Sequence, residues 1–285
     1  MFPRPLLLLS CALVLRLHAA EPPPTPEAPL PTFDFDHYLI APLRVHFLSS
    51  EKEPALCTTL ADADLERIIG KVNHVWKQAG IALVVESIVR EKLEPDEAPA
   101  GVLPGEQGWL PKHILAANYG PDQFHVYYLK QFGVNGIYYP KALFVKDTAS
   151  LRRVAGGIDE PIPRVTSHEF GHALGLAHRQ DTFNLMASGT TGTSLNAAEI
   201  EAARFRAAGF PRFKTAPEWL AKAAALRTEK KEAEAVTLEK QLAALPMESA
   251  KLDELRARHH VTPPPIWVSP VVAPKPPPPI TVRDP

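Results

Sequence analysis

Residues 168–178 read HEFGHALGLAH. On a helix, His168 and His172 lie four residues apart and project from one face about a turn apart, the separation that lets two imidazoles grip one Zn²⁺. Gly175 reads as the turn that ends this helix. A helix continued past it would carry His178 away, whereas glycine adopts the left-handed conformation that swings the chain back toward the metal. Three neutral imidazoles then leave one position open. An open position on zinc holds a water whose pKa falls to about 7, and it marks catalytic rather than structural sites. Glu169, beside the first ligand, is placed to take that water's proton. Five specified residues, three of them the scarce histidine, match by chance in a chain this long with a probability on the order of one in a hundred thousand. Exposed helix histidines without a metal, or a purely structural zinc site, are the competing readings. A structural site has no need of Glu169.

At these residues the sequence resembles the metzincin clan of zinc endopeptidases, whose extended motif is followed by a methionine turn. Asn184-Leu185-Met186 supplies that methionine eight residues after His178, and the wording HEFGHALGL is most similar to the matrixin branch. Arg179 and Ala187-Ser188 depart from the matrixin pattern, which places serine after the third histidine and Tyr-Pro after the methionine. The resemblance covers roughly residues 41–211. It implies an α+β catalytic domain with a twisted, mostly parallel sheet, an antiparallel edge strand, two long helices and a C-terminal helix. It also implies one catalytic zinc on His168, His172 and His178, with Glu169 as general base and Met186 as an apolar floor beneath the metal. No tyrosine stands two places after Met186, so a fourth protein ligand of that kind is not expected. No acidic, Gly-rich loop supports a calcium set, so calcium is an unsupported option. The expected substrate is a protein or peptide lying extended along the edge strand at Tyr138, Tyr139, Ala142, Leu143 and Phe144. The loop that begins at Ser188 and Gly189 and runs to Thr193 is expected to border the pocket for the residue after the cut.

The elements that must position these residues are legible as patterns. Leu43–Ser49 alternates Val45 and Phe47 with polar neighbours, as a half-buried strand does. Leu65, Ile68, Ile69, Val72, Val75, Trp76 and Ala79 recur at helical spacing, with Asp62 or Asp64 to cap the start and Gly80 to end it. Residues 81–87 and 123–129 read as strands. Ile137–Val145 reads as one extended segment, in which Pro140 argues for an edge position or a bulge. Pro161 and Pro163 announce the helix that carries the motif. Residues 196–208 read as a second helix, opened by Ser194 or Asn196 and stopped at Gly209 and Pro211. Residues 217–245 have a helical composition, with Leu238, Leu242 and Leu245 on one stripe.

The 285-residue chain carries a formal charge of −1 with no basic blocks, which leaves phosphate-backbone affinity without an electrostatic basis. Nucleic acid is not an expected partner. Its 31 prolines outnumber 15 glycines, with six in residues 21–31 and ten in residues 263–285. Arg4, an apolar run from Leu6 to Leu15 and Ala19-Ala20 read as a secretory signal peptide; that run spans only about 15 Å as a helix against a hydrocarbon core of roughly 30 Å. No transmembrane helix is expected in the mature chain, and the expected location is secreted, periplasmic or cell envelope. Leu8-Leu9-Ser10-Cys11 offers a lipoprotein-type anchor as a minor alternative. Removing the signal leaves Cys57 without a partner for a disulfide. The plan is a signal at 1–20, a Pro-rich linker at 21–40, a zinc-peptidase-like domain at 41–211, a helical extension at 212–260 and a Pro-rich tail at 261–285. Two other functions compete with proteolysis. One is a zinc amidase acting on cell-wall peptides, and the other is an envelope adaptor whose extension docks a protein partner through Leu238, Leu242, Leu245 and Ile266-Trp267-Val268; for those residues a solvated helix packing on the domain, followed by a floppy tail, is the favoured alternative.

Overall fold

The computed structural model describes residues 30–92, 122–139 and 142–262. The signal peptide, linker residues 21–29, Pro140, Ile266-Trp267-Val268 and nearly all of the tail lie outside these residues. Strands β1 (Leu39–Ser49), β2 (Ile81–Lys92), β3 (Phe124–Leu129), β4 (Gly136–Tyr139) and β5 (Ala142–Lys146) form a sheet in the order β2-β1-β3-β5-β4. The β1–β2, β1–β3 and β3–β5 pairs are parallel, and β4 alone runs antiparallel to β5 at the end of the order. A two-residue strand, β6 (Lys214–Thr215), pairs antiparallel with the start of β1. The fold is mixed α/β with a mostly parallel sheet.

One face of the sheet is covered by α1 (Asp62–Trp76), α2 (Pro161–Ala173) and α3 (Ala197–Ala208). Leu43 and Val45 of β1, Val126 of β3 and Leu143 of β5 point into this layer and meet Ile68, Val72 and Trp76 of α1 and Phe170 of α2. The apolar spacing of α1 serves this contact, and Asp64 accepts the backbone N–H of Ala61 at its start. Helix α2 begins at Pro161, whose missing N–H costs nothing in a first turn. Asn196 caps α3 by accepting the Glu199 N–H at 2.9 Å, while Glu199 accepts the Asn196 N–H in return.

The opposite face departs from the expected plan. Helices α4 (Ala216–Thr228), α5 (Glu232–Ala243) and α6 (Ala250–His259) cover Ile40 of β1 and Ala82 and Val84 of β2. Trp219 is buried there with its indole N–H donated to Ile40 O at 3.0 Å. The Gln241 amide bonds both the N–H and the carbonyl of Val85 on β2. The sequence boundary at 211 is therefore no break in packing. Leu238, Leu242 and Leu245 are buried against the chain's own sheet, as the reading of a helix packed on the domain expects, and cannot serve as partner anchors. The linker also ends earlier than residue 40, since Phe35 and Tyr38 are buried in the same layer and β1 starts at Leu39. Covering both faces removes the half-buried character read for β1. His46, expected on the polar side, is fully buried and bonded to His125 at 2.8 Å and to Glu91. A third cluster, including Leu56, Tyr127, Phe132 and Phe144, packs the back of β3 and β5.

Candidate metal centre

Helix α2 presents His168 and His172 one turn apart, and Gly175, at φ 83°, turns the chain after the helix. The Gly175 N–H bonds His172 O at 2.9 Å and the Leu176 N–H bonds Gly171 O at 3.0 Å, which closes the helix end and sends residues 176–178 back across it. One ring nitrogen from each of His168, His172 and His178 falls within 4.8 Å of the other two. The Nε2 atoms of His172 and His178 are 3.1 Å apart. Two nitrogens bound to one tetrahedral zinc at about 2.0–2.1 Å sit about 3.3 Å apart, so the spacing suits a shared ion.

Proton placement also suits a metal. Nδ1 of His168 donates to Leu185 O at 2.8 Å and Nδ1 of His172 donates to Leu176 O at 2.8 Å, which leaves both Nε2 lone pairs facing the centre. Burial, with Arg164 nearby, pushes His168 down to about 3. Burial likewise lowers His172, so both rings are neutral at pH 7, the form a metal requires. The three histidines can hold one metal ion.

Glu169 points into the same cleft. Burial raises its carboxyl to about 7, opposed by a hydrogen bond from the Tyr138 backbone N–H and by the Arg164 charge. Gly136 makes this approach of β4 to α2 feasible. A Cβ at position 136 would stand 2.7 Å from Glu169 Oε1 and 2.4 Å from Val165 Cγ1. Met186 is fully buried beneath α2, with its sulfur 2.6 Å from where a Cβ on Gly171 would lie. It packs against the Gly171 face of the helix.

The cleft encloses about 470 Å³ and is open on one side. Tyr138, Ser188, Gly189, Glu169 and the three histidines line it as the sequence led one to expect. Tyr139 does not; it packs at the back of the sheet, because successive strand residues face opposite ways. Ala142, Leu143 and Phe144 are a further correction. They are buried in β5 between β3 and β4, because residues 136–146 form two paired strands rather than one extended edge. The edge beside the cleft is β4.

Several residues at the site escaped the sequence reading. Leu151 and Val165 supply apolar walls, and Gly136 supplies clearance. Arg164, only 2% exposed, donates to the carbonyls of Gly192 at 3.1 Å, Asn184 at 3.4 Å and Ala187, so α2 holds the loop that carries Met186 and Ser188. Its position one turn before His168 was visible, but carbonyl partners 20 to 28 residues away carry no sequence signature. No protein-family model matches the chain, and no curated protein matches it, so the centre stands on its own geometry and on the HEFGHALGLAH motif.

Proposed function

We propose that the protein is a zinc-dependent endopeptidase of the metzincin type that works outside the cytoplasm. The observation that carries this reading is the shared cleft, in which a buried Glu169 stands beside three convergent imidazoles under the end strand β4. His168, His172 and His178 would hold the zinc, which when bound supplies Lewis acidity, lowering the pKa of a water toward about 7 and polarising a carbonyl. Glu169 takes a proton from the water that attacks the scissile carbonyl and returns it to the leaving amine. Burial holds the carboxyl up in the metal-free site, and a bound dication would draw it back toward the ionised form that accepts the proton. The Tyr138 N–H keeps Glu169 aimed into the cleft and ties the base to the strand along which substrate lies.

Strand β4 is the last of the sheet order among the described residues, and its backbone can pair with an extended peptide. Leu151 and Val165 offer an apolar wall to a substrate side chain, and Ser188 and Gly189 bound the other side. The secreted or envelope location rests on the N-terminal sequence. No helix among the described residues is long and apolar enough to cross a membrane.

Glu169→Ala is expected to keep one zinc per chain and to lose cleavage of an unfolded protein substrate by at least about a thousandfold, a loss in keeping with removal of a general base. A fully active variant would remove Glu169 from the mechanism. His172→Ala is expected to lose the metal, and normal zinc stoichiometry in it would contradict the ligand assignment.

A further inference from the structure

The third ligand poses a question that the motif does not answer. His168 and His172 ride on a buried helix, whereas His178 is exposed and follows the chain reversal at Gly175. Its neighbour Arg179 is fixed twice. The Arg179 N–H bonds Met186 O at 3.0 Å, and Arg179 Nε meets Glu199 Oε1 at 2.6 Å. Glu199 is the first-turn residue that answers the Asn196 cap of α3, yet its side chain does so with Oε2 alone, which accepts the Asn196 N–H at 2.9 Å. That oxygen also accepts Asn184 Nδ2 at 2.8 Å. Asn184 Oδ1 in turn accepts the Met186 N–H at 2.7 Å. Between Asn184 and Met186 stands Leu185, whose carbonyl takes the Nδ1 proton of His168. Glu199 is 5% exposed, so its charge is answered by these donors rather than by solvent.

We propose that Glu199 is the positioning residue of the metal centre, holding His178 through Arg179 and orienting His168 through Asn184 and the Leu185 carbonyl. One carboxylate thereby sets two of the three ligands and anchors them to α3. An ordinary cap would be served equally by a glutamine. Glutamine offers one oxygen where Glu199 uses two, so it keeps the cap or the Arg179 contact and not both. Arg179 is half exposed and Glu199 buried, so removing Arg179 leaves a buried carboxylate with the Asn184 and Asn196 donors alone. The inference rests on the three-histidine metal reading and is independent of proteolysis.

The test is zinc affinity by competition with a chromogenic chelator, with thermal unfolding of the apo proteins as the control. Glu199→Gln and Arg179→Ala are each expected to weaken zinc binding about tenfold to a hundredfold, the range for residues that orient metal ligands. Arg179→Ala is expected to lower the apo unfolding temperature as well, so affinity is compared at a temperature where every apo variant is folded. In the double variant of Glu199→Gln with Arg179→Ala the losses should be less than additive, because both residues act through one contact. Arg179→Lys, which keeps the charge, should recover part of the loss. Parental affinity in both single variants would overturn the proposal. So would fully additive losses in the double variant. A parent chain that takes up no zinc would remove the metal centre and this proposal with it. A parent that binds zinc but cleaves nothing would remove the peptidase reading alone.

Discussion

The carboxyl of Glu169 works at the meeting of α2 and β4, and the clearance there is set by a missing side chain. Gly136 lies so close to Glu169 and Val165 that a larger residue must displace one of them. Misplacing a catalytic group by about 1 Å can cost about a hundredfold in rate. Gly136→Val is therefore expected to lower kcat/KM at least tenfold while zinc stoichiometry stays at the parent value. Steady-state kinetics alongside metal analysis checks this, and unchanged kinetics would show that β4 does not constrain the base. At this scale the convergence of the histidines and the place of Glu169 beside them were legible, because a helix converts a spacing of four residues into a shared face without tertiary help. Gly136, Arg164 and the Glu199 relay were not legible. Their partners are distant in sequence, and no local pattern links position 136 to 169 or position 164 to 192. The Asn196 to Glu199 spacing did carry a capping signal, but nothing in it foretold Arg179 as a second partner.

Among the elements, the C-terminal helices differ most from expectation. A single helical composition from 217 to 245 resolves into α4 and α5, with Lys230 in the left-handed region at φ 62° between them. No glycine or proline marks that reversal. It is set by packing, since α4 and α5 must both reach the back of β1 and β2. Glu239 of α5 helps to hold the group together by accepting Arg227 of α4 and His259 of α6. The Arg227 hydrogen bonds, aided by His259, hold its carboxyl down to about 2 from an ordinary 4.5. A carboxyl depressed in the folded state stabilises fully above its ordinary value, and that contribution is lost as pH falls from 4.5 toward 2. Glu239→Gln is expected to cost about 1.5–3 kcal/mol at neutral pH, the range for hydrogen bonds to charged groups. It should also flatten the acid limb of stability, and denaturant unfolding at pH 7, 4 and 3 measures both effects. A cost that stays the same at pH 3 as at pH 7 would show that the carboxylate is not the source. The hairpin of β4 and β5 was misread for a related reason. Pro140 signalled an interruption, but a run of apolar residues on either side looks the same in one long strand and in two paired ones.

Seen whole, the molecule is a sheet with a helical layer on each face and a metal centre at one end. Residues 212–260 belong to this body, because Trp219, Leu238 and Leu242 cover Ile40, Ala82 and Val84. Replacing one large buried side chain such as Trp219 by alanine costs about 3–5 kcal/mol, and whole domains are stable by only about 5–15 kcal/mol. A chain ending at residue 211 is therefore expected to be insoluble or unfolded, as judged by circular dichroism. A truncated chain that unfolds cooperatively at the parent's temperature would show that the back layer is dispensable. The sequence patterns located the front layer and the motif and set residues 212–260 apart as an extension. The stripe of Leu238, Leu242 and Leu245 called for burial on the domain or on a partner, and it is buried on the chain's own sheet. The central claim is that three histidines and Glu169 form one hydrolytic centre. It is tested most directly by stripping the protein with a chelator, restoring one equivalent of zinc, and following cleavage of an unfolded protein chain by the parent and by Glu169→Ala. Zinc should return activity to the parent alone, with equal metal in both proteins; cleavage by the stripped parent, or by Glu169→Ala at the parent rate, would contradict the account.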